Sequence, residues 1–335
     1  MFRHIVIPLD GSAFSRTAIP YAHALASNSD AELELVSAVD TAAALLGAGY
    51  PGDLAAGATT SGAGVPAVAI ELVEASREGR EEELEATARK VGTATGGTVD
   101  WTVIDGEPSE TVAARVEESE ADLVVMSTHG RGGLDRAWLG SVADRLIRRL
   151  TVPLLLVRPE EEEGNGEEAD PESHDDGPEL SLEPARIQRV LVPLDGSELA
   201  EAILDPAARL ARQTGASLVL LRVMDPRLPT DAPYLPATVE GTEARFQERR
   251  TEARDYLDRV AERLRGEGVE VADVEVREGS AAPTILEQAG EGADIVAMAT
   301  HGRGGLRRWL LGSVSDKVLR GADRPVLIVR PEDED

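Results

Sequence analysis

Two rhythms of apolar and polar positions alternate along the chain. Ile5–Leu9 is a short, unbroken apolar run, the mark of a strand buried on both faces. Thr17–Ser27 carries apolar residues at helical spacing, and Glu32–Val39 predicts a second strand. A Gly/Ala-rich stretch at 41–66 leads into a long charged helix predicted over about 68–92. Strand Val99–Ile104, helix Glu107–Glu118 and strand Leu123–Met126 follow. A glycine loop, helix Ser141–Leu150 and strand Pro153–Val157 complete the series. Alternation of strand and helix, with strands that are nearly continuous Val/Leu/Ile, predicts a parallel sheet covered by helices.

The pattern is written twice. HIVIPLDGS at 4–12 returns as RVLVPLDGS at 189–197, and THGRGGL at 128–134 returns unchanged at 300–306. LGSV at 139–142 recurs at 311–314, and PLLLVRP at 153–159 recurs as PVLIVRP at 325–331. The second copy has its long helix at about 240–266. Internal self-similarity on this scale means a duplicated domain. The boundaries expected are 1–158 and 185–335, joined by 159–184. That joining segment has no Lys or Arg and few apolar residues, so a disordered acidic linker is expected there.

Composition narrows the function. The 335 residues hold 62 Asp plus Glu against 34 Lys plus Arg, a net charge of −28. Such a surface repels a phosphate backbone, so nucleic acid is not an expected partner. The only lysines are Lys90 and Lys317. An acid-rich, Lys-poor surface suits high salt, where screening relieves self-repulsion, and a halophilic source is the reading. Aromatic residues are only 3%, which argues against stacking platforms. There is no Cys, which excludes thiolate chemistry and disulfides. No apolar stretch reaches the roughly 18 residues of a membrane span, and no leader precedes the first strand. No membrane partner and a cytoplasmic location are therefore expected.

In open parallel sheets, ligands bind beyond the carboxyl ends of the strands, where the strand order reverses. Asp10 follows the first strand and Ser127–Gly133 follows the fourth, so both would line one crevice if those strands are neighbours. Gly130 allows a sharp turn close to a ligand. Gly140 and Ser141 open the next helix, where free N–H groups and the helix dipole favour phosphate. A tight loop with Ser141 as N-cap and no ligand is the plainer alternative for either loop alone. Recurrence at identical spacing in both copies favours binding.

These motifs resemble the universal stress protein family in its tandem two-domain form, over nearly all of both repeats. Its nucleotide-binding members carry G-x2-G-x9-G-[ST] after the fourth strand. Here the pattern reads Ser127, Gly130, Gly140, Ser141 and Ala299, Gly302, Gly312, Ser313, with the first Gly replaced in each copy. The resemblance implies two flavodoxin-like (adenine nucleotide alpha hydrolase-like) α/β domains. Each would be a five-stranded parallel sheet in order 3-2-1-4-5, with helices on both faces. It implies ATP or another adenine nucleotide, with Mg2+ or Mn2+ bridging the phosphates. Asp10 and Asp195, preceded by Pro8 and Pro193, would lie near adenine and ribose. Ala38 and Val223 would offer a backbone contact to adenine. Val142 and Val314 would join the phosphate-binding amides of Gly130, Gly140 and Ser141, and of Gly302, Gly312 and Ser313. Arg131 and Arg303 add counter-charge, or are solvated loop arginines. The resemblance also implies pairing through the last strand, as an internal pseudodimer of the two repeats or as a homodimer.

Several patterns carry no chemistry. GAGYPG at 47–52 is a formal G-x-G-x-x-G, but it lies after the second strand and has no counterpart in copy two. Neither lysine sits in a Walker A motif. His129 and His301 lack the strained G-x-S-x-G turn of a nucleophilic triad, and His4, His23 and His174 lack metal-ligand spacing. The leading expectation is a stress-response protein whose bound nucleotide sets conformation or the choice of an unknown protein partner, with slow hydrolysis at most. A scaffold or chaperone-like member that binds no nucleotide is the alternative, favoured by Ser127 and Ala299. A hydrolytic or adenylate-forming enzyme is the weakest, because no general base, lysine or nucleophile marks the crevice.

Overall fold

The computed structural model describes residues 1–27, 29–40, 67–128, 139–159, 180–226, 239–300 and 311–331. They form two compact bodies, one built on Phe2–Asp135 and Leu139–Ala185, the other on Arg186–Asp335.

In the first repeat, β1 (His4–Pro8) is followed by α1 (Ala13–Arg16), α2 (Ile19–Ala26) and β2 (Glu32–Val39). Then come α3 (Ala67–Thr95), β3 (Val99–Asp105), α4 (Pro108–Glu118), β4 (Leu123–Ser127), α5 (Ser141–Arg149) and β5 (Leu154–Val157). The strands lie in the order β3-β2-β1-β4-β5, and the described pairings are parallel. β1 therefore sits centrally, between β2 and β4. Its inner residues Ile5, Val6 and Ile7 are fully buried, as the unbroken apolar run requires.

The second repeat follows the same course. Its elements are β6 (Arg189–Pro193), α6 (Glu198–Glu201), α7 (Leu204–Thr214), β7 (Ser217–Met224), α8 (Val239–Gly266) and β8 (Val271–Glu278). α9 (Ala281–Gly290), β9 (Ile295–Ala299), α10 (Ser313–Gly321) and β10 (Val326–Val329) follow. The order is β10-β9-β6-β7-β8, again parallel. A register shift between Leu218 and Val219, where β7 pairs with β8, has no counterpart in the β2–β3 register.

Local chemistry sets several boundaries. The helix expected over Thr17–Ser27 is α2, and the Asp-Gly-Ser turn starts a further short helix, α1, before it. The Ser12 hydroxyl accepts from Ser15 N–H at 3.1 Å, and the Ser197 hydroxyl accepts from Ala200 N–H at 3.2 Å. At the other end of the sheet a carboxylate pins the first strand of each repeat. Asp122 accepts from the N–H groups of Arg3 and His4, and Asp294 from those of Gln188 and Arg189.

Residues 180–185 close the acidic joining segment and rest on α2. His23 Nδ1 lies 2.6 Å from the Leu182 carbonyl oxygen, and Ala185 N–H donates to the Pro20 carbonyl at 2.9 Å. Of the linker expected to be disordered over 159–184, residues 160–179 lie outside the described residues, and Leu182 is held on α2. Among the described residues no helix is long and apolar enough to cross a membrane.

Candidate functional site

The site is built where β1 and β4 end side by side. Pairing of Ile5 with Leu123 and of Val6 with Val124 brings the Asp10 turn next to Ser127 and Thr128. Neighbouring strands lie about 4.8 Å apart, so one small ligand can touch both ends. β6 and β9 make the same junction through Val190–Ile295 and Leu191–Val296.

Asp10 first shapes its own turn. Its Oδ1 accepts from Ser12 N–H at 2.9 Å and from the Ser12 hydroxyl at 2.6 Å. Asp195 holds Ser197 in the same way, at 2.9 and 2.5 Å. Gly11, between Asp10 and Ser12, has φ +81°, which only glycine adopts freely.

Beyond β4 the chain returns to the sheet at Gly140. Gly140 N–H donates to the Thr128 carbonyl at 2.8 Å, and Gly312 N–H donates to that of Thr300 at 2.9 Å. A Cβ on Gly140 would lie 2.7 Å from the Thr128 oxygen, so closeness to backbone demands glycine there. Gly140, not Ser141, is the N-cap of α5, and Gly312 is that of α10. Neither cap supplies a side-chain hydrogen bond. The first amides of each helix, from Ser141 and Val142 and from Ser313 and Val314, are thus not capped by the residue that precedes them. That arrangement accepts an anion.

Of the other predicted residues, Ser127 and Ala299 end β4 and β9 with their small side chains buried, each 7% exposed. Pro8 and Pro193 end β1 and β6. Ala38 and Val223 are the penultimate residues of β2 and β7, beside those ends. Gly130, Arg131, Gly302 and Arg303, like His129 and His301, lie outside the described residues. His4 stands at the opposite end of the sheet. Its Nε2 lies 3.3 Å from buried Glu34, whose other oxygen accepts from Arg115 at 2.7 Å. Among the described residues no group of three or more acids or histidines gathers as a metal site.

The long helices contribute residues that motif reading missed. In the first repeat the Arg80 guanidinium of α3 lies against Gly11 and fills the space that a Cβ on residue 11 would take. Arg80 is 14% exposed and pairs with Glu83 at 2.9 Å. In the second repeat, the Tyr256 hydroxyl of α8 donates to Glu201 at 2.9 Å, and Arg222 lies 5.7 Å from the centre of its ring. Arg263 holds the other Glu201 oxygen at 2.7 Å. Burial first, then the Glu201 hydrogen bond, pushes the Tyr256 phenol above its ordinary value, and the Asp195 charge adds to this.

A parallel sheet in this order, with a glycine-capped helix at the reversal point, defines a flavodoxin-like α/β domain, here present twice. The pattern of the Universal stress protein family matches residues 1–158 and again 186–330, and the chain belongs to that family. It is 29% identical over 333 residues to a universal stress protein of Mycolicibacterium smegmatis, covering 98% of this chain and 97% of the relative. A universal stress protein of Methanocaldococcus jannaschii is 30% identical over 159 residues, covering 47% of this chain and 83% of the relative. Among solved structures, a universal stress protein from Archaeoglobus fulgidus has the same fold. Its TM-score is 0.63 at 19% identity, covering 98% of both chains.

Proposed function

We propose that the protein binds an adenine nucleotide, ATP first among them, beyond the carboxyl ends of β1 and β4 and of β6 and β9. The bound nucleotide then sets conformation or partner choice. The observation that carries this reading is the start of α5 and α10. Each begins on a glycine drawn against a strand-end carbonyl, without a side-chain cap, beside an Asp-Gly-Ser turn. Helix amides supply phosphate contacts without needing a basic surface, which this chain of net charge −28 lacks. Mg2+ or Mn2+ enters the reading only as the companion of the phosphates. No general base or nucleophile is assigned, so turnover is expected to be slow or nil.

The test is to denature the purified protein, identify released nucleotide by mass spectrometry, and titrate the stripped chain with ATP and Mg2+ by calorimetry. Two sites are expected. Ser141 and Ser313 are exposed first residues of their helices, so Ser141→Glu and Ser313→Glu should fold and repel phosphate. Each is expected to remove one site. The second reading, a scaffold without nucleotide, is favoured by the buried Ser127 and Ala299 side chains where the motif has glycine. A stripped chain that ignores millimolar ATP would establish it.

A further inference from the structure

The two crevices share their strand ends but not their long helices. Aligning buried Leu84, Ala88 and Val91 of α3 with buried Leu257, Ala261 and Leu264 of α8 places Arg80 opposite Ala253. One repeat carries a cation where the other carries a methyl group. The inference rests on the nucleotide reading above and deepens it for one site.

Arg80 occupies a particular place. Its guanidinium is in contact with the backbone at Gly11, one residue past Asp10. β1 and β4 are bonded neighbours, and Gly11 and Thr128 both follow their carboxyl ends, so the two lie at the same end of the sheet. Thr128 is the residue to which the start of α5 is tied. A phosphate seated on the first amides of α5 is then within reach of a planar cation that approaches from α3. The guanidinium is largely buried, whereas Glu83, one of the groups it meets, is 39% exposed, so water weakens that ion pair. Thirteen residues of α3 precede Arg80, a run of about 20 Å. This helix thus brings a charge to the Gly11 turn from a segment distant in sequence.

We propose that Arg80 contacts the nucleotide phosphates in the first crevice and makes that crevice select phosphorylated nucleotide over nucleoside, where the aligned position of the second repeat is Ala253. Glu83 is among the groups that hold the guanidinium in the free protein, and the ligand's phosphate takes over part of that role when bound.

The experiment uses the full chain carrying Ser313→Glu, so that only the first site is read. ATP and adenosine are each titrated by calorimetry into this chain and into the same chain with Arg80→Ala or Arg80→Lys, with thermal unfolding of each recorded. Arg80→Ala is expected to weaken ATP about 10- to 100-fold, the worth of one charge-assisted hydrogen bond, and to leave adenosine unchanged. Arg80→Lys is expected to recover part of the loss. Equal losses for ATP and adenosine, or an unchanged ATP affinity, would overturn the role of Arg80 while leaving the nucleotide reading standing. If the chain without either Arg80 substitution binds neither ligand, the nucleotide reading fails and takes this proposal with it.

Discussion

The two repeats agree where backbone meets backbone and differ where side chains descend from the long helices. Asp-Gly-Ser turns, glycine N-caps and the amides behind them coincide to within a few tenths of an ångström in hydrogen-bond length. One helix position away, Arg80 and Glu83 of the first crevice align with Ala253 and Tyr256 of the second. On the strands, Ser37 corresponds to Arg222, each standing before the residue expected to meet adenine. Ser37 is fully buried and its hydroxyl makes no hydrogen bond, whereas Arg222 rests on Tyr256. The two repeats share the backbone features, and the side chains around them differ.

Three substitutions break or sharpen this contrast, from the largest effect to the smallest. Gly140→Val attacks the shared part. Its Cβ would meet the Thr128 carbonyl oxygen at 2.7 Å, a backbone group that yields less readily than a side chain. A loss of about 1–3 kcal/mol in the unfolding of the first repeat is expected, by chemical denaturation, together with loss of one nucleotide site.

Tyr256→Phe attacks the second repeat alone. Removal of the hydroxyl that Glu201 accepts should cost about 1 kcal/mol, while Arg263 still holds the other oxygen. The raised phenol pKa also fixes a pH window. Its contribution is whole below the ordinary tyrosine value of about 10 and is lost as pH climbs through the higher folded value. Alkaline unfolding followed with phenolate absorbance should show that loss in the parent chain, and Tyr256→Phe should lack it.

Ser37→Ala probes the first repeat most gently. Deleting a buried, unpartnered hydroxyl removes a desolvation cost, so stability should hold or rise by up to about 1 kcal/mol. A measurable loss on thermal unfolding would mean that Ser37 has a partner in solution.

Much of the architecture was legible beforehand because it depends on local rules. Ile5–Ile7, Leu123–Met126 and Leu154–Val157 are apolar without a break, and such runs have no stable home except between two helical layers. Gly140 and Gly312 stood out by position, since a glycine before a helix has few other meanings. The helix start expected at Ser141 is where α5 begins, while the plainer alternative, with Ser141 as N-cap, is off by one residue. A hydroxyl beside a helix start suggests a cap, but the pull of the Thr128 carbonyl on Gly140 sets the true boundary. The role of α3 was illegible, because a charged helix reads as a solvated face until its partner is known.

The sequence alone determined the duplication, the alternation of strand and helix, and the glycines that mark each crevice. These follow from periodicity and from backbone freedom, which act over a few residues. The tertiary structure decided what faces each crevice from a distance. Arg80 meets Gly11 across 69 positions of chain, and Tyr256 meets Glu201 across 55. Such meetings arise from helix packing on a twisted sheet, where the depth and rotation of each helix are set by the whole core. No local pattern of residues contains that information.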